Sequence, residues 1–522
     1  MIDHQLSRRL FLRNAGVLSA AGAAAAPLAL NMAALGSAAA QSAGDYKALV
    51  CIFLYGGNDS LNTILPTDSA SWTNYTTVRN QAPDSLALMA PGTAAVTGAA
   101  AGSPARLGGV LPIVPAKART APGGGTQTFA LHPLLSSLQT MFNTDKRLAI
   151  ISNVGPLVEP LTKETYNNGK GRRPAMLFSH NDQSNTWMSF KPEGATVGWG
   201  GRLGDLMMSQ NSRSIFTSIS TSGNAVWLTG QSVQQYQVSA NGAIRMGAIG
   251  NGRILGSLDL TTAMQQVVSA TRGGHVFEAD LAAVAARSID AETTLRTALK
   301  EPSDPLFGTA PASGSYNASA DPKLQYDNPL TGAKSFSVVA QQLQMVARMI
   351  DASSAAGIGA KRQVFFVGLG GFDMHDGENR THADLMARLA HAMRYFDTTL
   401  GAMGARSKVT TFTASDFGRT FTSNGDGTDH GWGGHHFVMG GAVKGGDIYG
   451  KVPVLGAKNA NNNDFDSSPN QIGNGSLLPD TSVDQLGATL ARWFGVSDTD
   501  ALTVFPNLAN FDASVRNLGF MG

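Results

Sequence analysis

Short, unbroken apolar runs alternate along this chain with longer stretches in which apolar residues recur at helical spacing. Ala48 to Tyr55 contains no charged side chain and runs straight into Gly56-Gly57-Asn58-Asp59, which predicts a strand buried on both faces that stops at the glycines. Leu148 to Val154 and Ser214 to Ile219 read as two further strands, the first preceded by a helix from His132 to Phe142. Between Phe336 and Ser353 the residues Val339, Leu343, Val346, Ala347 and Ile350 fall on one helical face. The final third continues with a strand at Val364 to Leu369, a helix at Thr381 to Leu400 and a strand at Val409 to Thr413. A glycine-rich loop, a strand at Phe437 to Gly440 and a helix at Val483 to Phe494 follow, with Gly495 placed to cap the helix.

This alternation predicts an α/β fold, a three-layer sandwich whose mainly parallel central sheet is covered by helices. Two stretches interrupt it. Residues 85–128 are rich in Ala, Gly, Pro and Thr without any period and read as a surface excursion. Leu258 to Leu299 has helical periodicity and leads into Pro302, Pro305 and a Gly/Ser/Asn-rich segment at 308–322. It reads as a mostly helical insertion at about 255–330 within a single domain spanning 41–522.

The first 40 residues stand apart. Ser7-Arg8-Arg9-Leu10-Phe11-Leu12 precedes a weakly apolar, alanine-rich run and then Ala38-Ala39-Ala40, the pattern of a twin-arginine export signal cleaved after Ala40. Gly16, Gly22, Pro27, Asn31 and Gly36 make the run a poor spanning helix, so no stable membrane insertion is expected after cleavage. The expected location is periplasmic, or otherwise exported, with the twin-arginine machinery as a partner. Cleavage removes Arg8, Arg9, Arg13 and Asp3 from 39 basic and 37 acidic side chains, which leaves the mature chain formally neutral. With 15% charged residues and no basic footprint, a nucleic-acid partner is not expected. The single cysteine, Cys51, lies inside the first strand and reads as core packing; thiolate zinc sites and iron–sulfur clusters are excluded by the count.

Polar residues gather where the strands end. Six of the ten histidines lie between Gly370 and Gly446, among Gly371-Phe372-Asp373-Met374-His375, Ser415-Asp416-Phe417-Gly418-Arg419 and Thr428-Asp429-His430-Gly431. Ligands of open α/β sheets collect beyond the C-terminal ends of the strands. Asp59, Asp373 with His375, and Asp416 each sit just past such an end, and carboxylates with neutral imidazoles are ligands for divalent cations. His382 and His391 fall off the apolar stripe of their helix and are expected at the surface. His435 and His436 start a strand, so at most one should face the site. Gly445 to Lys451 imitates a phosphate loop, but Val452 stands where a Ser or Thr is needed, and no Gly-x-Ser-x-Gly elbow is present.

Taken with Gly56-Gly57-Asn58-Asp59-Ser60-Leu61-Asn62, Leu131-His132-Pro133, and Ser179-His180 with Trp187, these motifs resemble an exported bacterial family known as domain of unknown function 1501. That family in turn resembles the alkaline phosphatase and sulfatase superfamily. The resemblance implies that Asp59 and Asp416 serve one metal while Asp373, His375 and His430 serve another. It also makes Ser179 the positional candidate for a nucleophile, with helix capping as the alternative. His180 could be a ligand, base or anion-binding group, and Arg419 either a clamp for phosphate or sulfate or a partner in a structural salt bridge. The sequence departs from the superfamily at Phe417, where an adjacent histidine is usual. Fewer nitrogen ligands would favour calcium, magnesium or manganese over zinc.

Two functions therefore compete: an exported metal-dependent hydrolase of a small anionic phosphate or sulfate ester, and a catalytically silent relative that binds or assembles a component of the cell envelope. No nucleotide or organic cofactor is expected.

Overall fold

In a computed structural model that describes residues 45–243, 253–270, 275–462 and 464–522, the strand at the centre of the sheet is the first apolar run. The export signal lies outside the described residues. The strands that frame the site are β1 (Lys47–Tyr55), β2 (Leu148–Gly155), β3 (Ser218–Ser220), β4 (Tyr236–Ser239), β5 (Arg362–Gly370), β6 (Val409–Ser415), β7 (Arg419–Ser423), β8 (Thr428–His430), β9 (Gly434–Gly440) and β10 (Ile448–Tyr449). The helices are α1 (Ser136–Asn143), α2 (His180–Ser189), α3 (Trp199–Met207), α4 (Leu258–Ser269), α5 (Val276–Ala298), α6 (Val338–Asp351), α7 (Glu378–Ala402) and α8 (Val483–Phe494).

The main sheet runs β10-β2-β9-β6-β1-β5-β3-β4, with Gly242–Ala243 at the far edge and Thr481–Ser482 beside β2. β1 is parallel to both β5 and β6, as a strand buried on both faces requires. Its side chains divide cleanly. Ala48, Val50, Ile52 and Leu54 pack with α1, α6 and α7, while Leu49, Cys51 and Phe53 pack with Trp187, Trp199, Trp227 and α8. The fold is thus a mixed α/β one, with a mostly parallel sheet covered on both faces.

Several sequence expectations are met closely. The predicted strands of the first run and the last third, the helix ending at Gly495 in the left-handed region and the burial of Cys51 are all present. Others are revised. β9 runs antiparallel to both its neighbours, because the short β7/β8 hairpin reverses the chain after β6 in place of a helical crossover. Ser214–Phe216 forms a turn of 3-10 helix, which leaves only Ser218–Ser220 as strand. The 85–128 excursion is not wholly superficial: Leu111–Ile113 joins Ile64–Pro66 and Phe129–Leu131 in a small sheet. Among the described residues no helix is long and apolar enough to cross a membrane.

Candidate functional site

The parallel register of β5, β1 and β6 brings their C-terminal ends to one edge, and the loops beyond them carry Asp373, Gly56-Gly57 and Asp416. Gly56 has φ +112° and Gly57 φ +84°, a region that favours glycine. A β-carbon on Gly56 would collide with the backbone of Phe372-Asp373, and one on Gly57 with the ring of Phe417. This close approach lets the Gly56 amide donate to Asp416 Oδ2 at 2.9 Å.

Around Asp373 three imidazoles converge. His180 Nε2 lies 3.3 Å from Asp373 Oδ2, while His430 Nε2 and His375 Nε2 lie 3.2 and 3.0 Å from Oδ1. The two nitrogens His375 Nε2 and His430 Nε2 are 3.0 Å apart. Each ring is backed by an acceptor at its other nitrogen. His180 Nδ1 sits 2.8 Å from Asp416 Oδ2, His430 Nδ1 2.7 Å from the Phe178 carbonyl, and His375 Nδ1 3.4 Å from Asp429 Oδ1. An acceptor at Nδ1 orients each ring and aims its Nε2 at Asp373, the arrangement that orients metal-binding histidines. His180, Asp373 and His430 offer ligand atoms all within 4.8 Å of one another.

The backbone is strained where it supports this cluster. Phe178 has φ 72° and Met176 φ 52°, left-handed values that cost a residue other than glycine roughly 1–2 kcal/mol each. The strained turn is what presents the Phe178 carbonyl to His430.

Arg419 holds Asp373 from beneath. Its fully buried guanidinium donates from Nη1 to Asp373 Oδ1 at 2.9 Å and to the Gly56 carbonyl at 3.3 Å, from Nε to Thr428 Oγ1 at 3.2 Å, and from Nη2 to the Thr428 carbonyl. These bonds occupy the fork, so of its two readings the salt bridge is the one present, and a clamp on a substrate anion is not. Burial pushes the Asp373 carboxyl up, but the Arg419 hydrogen bond and the charges of His180, Arg419 and His375 outweigh it and hold it below its ordinary value. The hydrogen bond that His180 donates to Asp416 raises its pKa above the usual imidazole value in spite of partial burial. Burial lowers His430, with the Phe178 carbonyl only partly opposing it.

Two of the candidates named from sequence are not in the cluster. Asp59 is fully buried and forms a bidentate pair with Arg79, the last residue of the helix Ser69–Arg79. Its Oδ1 also accepts from the Leu61 amide, so its oxygens are already partnered. Burial would raise this carboxyl, but Arg79 dominates and holds it at about 2. Ser179 occupies the N-cap position of α2, and its hydroxyl donates to Asp182 at 2.8 Å. The hydroxyl makes no capping hydrogen bond to the helix backbone, so the capping alternative is met in position only. Asp416 takes part differently from the expectation: Oδ2 orients His180, and Oδ1 is buried without a hydrogen-bond partner.

His382 also departs from expectation. It is buried, 3.2 Å from Asn58 Oδ1 and edge-on to His132, and burial lowers it to about 4. His435 and His436 are both buried away from the cluster, His435 accepting from the Asn153 amide and His436 packed edge-on to Trp187. Sequence reasoning passed over Asp429, although it stands next to His430 in its motif, and over Glu378, whose role only the fold reveals.

A family model described as "Protein of unknown function (DUF1501)" matches residues 46–501. The chain belongs to this family. Among curated proteins no sequence matches. One solved structure, titled "Crystal structure of Ps i-CgsB in complex with k-i-k-neocarrahexaose", aligns with 90% of this chain and 77% of that one, at 7% identity and a TM-score of 0.33. A likeness of that size carries no argument about function. In this DUF1501 chain the Phe417 ring lies 4.8 Å from His180 and 4.7 Å from His430 between ring centres. Phe417 therefore closes one flank of the cluster with an apolar wall.

Proposed function

We propose that this exported DUF1501 protein is a hydrolase of phosphate or sulfate esters that depends on a single divalent metal ion, held by His180, Asp373 and His430. The observation that carries the reading is the set of ligand atoms offered by His180, Asp373 and His430, all within 4.8 Å of one another. Burial disfavours the protonated form of His430, which keeps its imidazole available as a ligand. The donor set is richer in nitrogen than the sequence suggested, because His180 joins it while Asp59 does not. Imidazoles with one carboxylate suit zinc or a similar transition ion better than calcium or magnesium.

When bound, such an ion supplies charge stabilisation for an ester oxygen and acidity for a water. The chain's own residues do the rest. Asp416, Phe178 and Asp429 fix the three rings, and Arg419 fixes Asp373. His375, half-exposed and backed by Asp429, is placed to accept a proton from an attacking water. Ser179 has no role in this scheme. Phe417 supports a second reading, a relative that keeps one structural metal and binds an envelope component without turnover, since its ring occupies one side of the cluster.

Elemental analysis of the signal-cleaved protein after reconstitution with zinc, manganese, magnesium or calcium tests the metal. One equivalent is expected in the wild type and much less in His430→Ala. Absence of stoichiometric metal would sink both readings. Release of nitrophenol from aryl phosphate and aryl sulfate then separates them: a metal-replete His375→Gln protein should lose turnover, whereas no turnover by the metal-replete wild type would leave the binding protein.

A further inference from the structure

The helices α4 and α5 carry exposed apolar side chains in a regular pattern. On α4 these are Leu260, Met264 and Val267, and on α5 Phe277, Leu281 and Val284, all between 39 and 78% exposed. Both sets follow the i, i+4, i+7 spacing of a helix-packing seam. The positions one residue later in each case, Thr261, Gln265 and Val268 on α4 and Glu278, Ala282 and Ala285 on α5, are less exposed. The two helices contact each other, and these less exposed positions mark the inner line of the pair.

Only a short connection separates α4 from α5, so the pair is antiparallel. In an antiparallel pair, positions one residue before the inner line fall on the same side of both helices. The two stripes therefore make one continuous face. At ~150–200 Å² for a fully exposed large side chain, six residues at these exposures present on the order of 500 Å² of apolar surface. With apolar atoms making up about 60% of an interface, such a face corresponds to roughly 800 Å² per partner, the size of a stable contact.

We propose that this face is a self-association surface, on which the α4/α5 hairpin of a second copy of the chain docks about a two-fold axis to complete a four-helix bundle. A two-helix layer with a seam on each helix is half of such a bundle, and an isologous contact lets one surface serve both partners. Charge argues against a lipid surface as the occupant. Between residues 254 and 299 the chain has Asp259, Glu278, Asp280, Asp290 and Glu292 against three arginines and no lysine. Helices that lie on membranes carry the opposite balance on their polar face.

The test is light scattering on the signal-cleaved protein over a concentration series, for the wild type and for Met264→Glu/Leu281→Glu. A dimer is expected at about 10 μM wild type, and the double variant should be monomeric there, with dimer affinity down at least about 100-fold. Because both positions are exposed, its circular dichroism and melting temperature should match those of the monomeric wild type at high dilution. A wild type that stays monomeric at about 100 μM overturns the proposal, as does a double variant that remains dimeric. Flotation of the wild type, but not the variant, with phosphatidylglycerol vesicles would overturn it in favour of a lipid surface.

Discussion

Asp59→Asn separates a supporting carboxylate from a metal ligand, because the two roles predict opposite outcomes. Asp59 and Arg79 have fully buried side chains, and Arg79 also donates to the carbonyls of Phe421 and Thr420. Removing one partner of such a pair ordinarily costs about 3–5 kcal/mol, since it strands a buried charge. Glu378 moderates the loss here. Burial first and Asp59 second push its carboxyl well above the ordinary value, which favours its neutral form beside the pair. Without the charge at 59, Glu378 can ionise toward Arg79, and the single variant should lose only about 2 kcal/mol. Asp59→Asn/Glu378→Gln, with no carboxylate left, should lose about 4 kcal/mol. Roughly 480 ordered residues at ~2.1 cal/mol/K each give about 1 kcal/mol/K of unfolding entropy, so these losses lower Tm by about 2 and 4 °C. Differential scanning calorimetry reads both, and elemental analysis should find the metal content of Asp59→Asn unchanged. Loss of metal with an unchanged Tm would refute the reasoning and return Asp59 to the site.

Arg419→Lys should keep the charge but lose the fork that holds Asp373 and both Thr428 oxygens, weakening metal binding by about 10–100-fold in competition with a chelator. The pH dependence of binding should follow His180. Its folded pKa is raised, so its contact with Asp416 contributes stability that is fully present below the unfolded value near 6.5 and is lost as pH rises through the folded value. The metal needs the deprotonated Nε2, so binding should strengthen over that same rise. Asp416→Asn, which removes the main cause of the shift, should move the midpoint of metal binding to lower pH, as read by titration across pH 5 to 9 with the wild type in parallel; an unmoved midpoint would exclude His180 as the controlling group.

What was legible in the sequence was whatever depends on local pattern. Ala48 to Tyr55 could only be a doubly buried strand, and the edge at which Asp373, Asp416 and Gly56 meet follows from parallel strands ending together. His375 was likewise placed by a predicted strand end, whereas His430 was reached only through the family resemblance. The direction of β9 was not, because it depends on a hairpin whose residues, Arg419 to His430, looked like loop. Asp59 was misplaced because nothing in the sequence marks Arg79, twenty residues downstream, as its partner. His382 was misplaced for a related reason: lying off the apolar stripe of α7 implied solvent, but that face meets Asn58, Thr63 and His132 in a polar interior.

The buried pair and the surface cluster belong to one hydrogen-bonded chain, and its directions can be followed proton by proton. Thr428 has one hydroxyl proton, which it donates to Glu378 Oε2 at 2.6 Å. Its lone pairs are then free to accept from Arg419 Nε, and Arg419 is thereby aimed at Asp373. Burial and the neighbouring Asp59 charge favour the neutral form of Glu378, since two carboxylates ionised side by side would face a single Arg79. Arg79 closes the chain by holding the carbonyls of Thr420 and Phe421, in the strand that begins at Arg419. Asp59 thus stabilises the loop that positions Asp373 without touching the cluster, which explains why a carboxylate at a strand end can be needed by a site it does not enter.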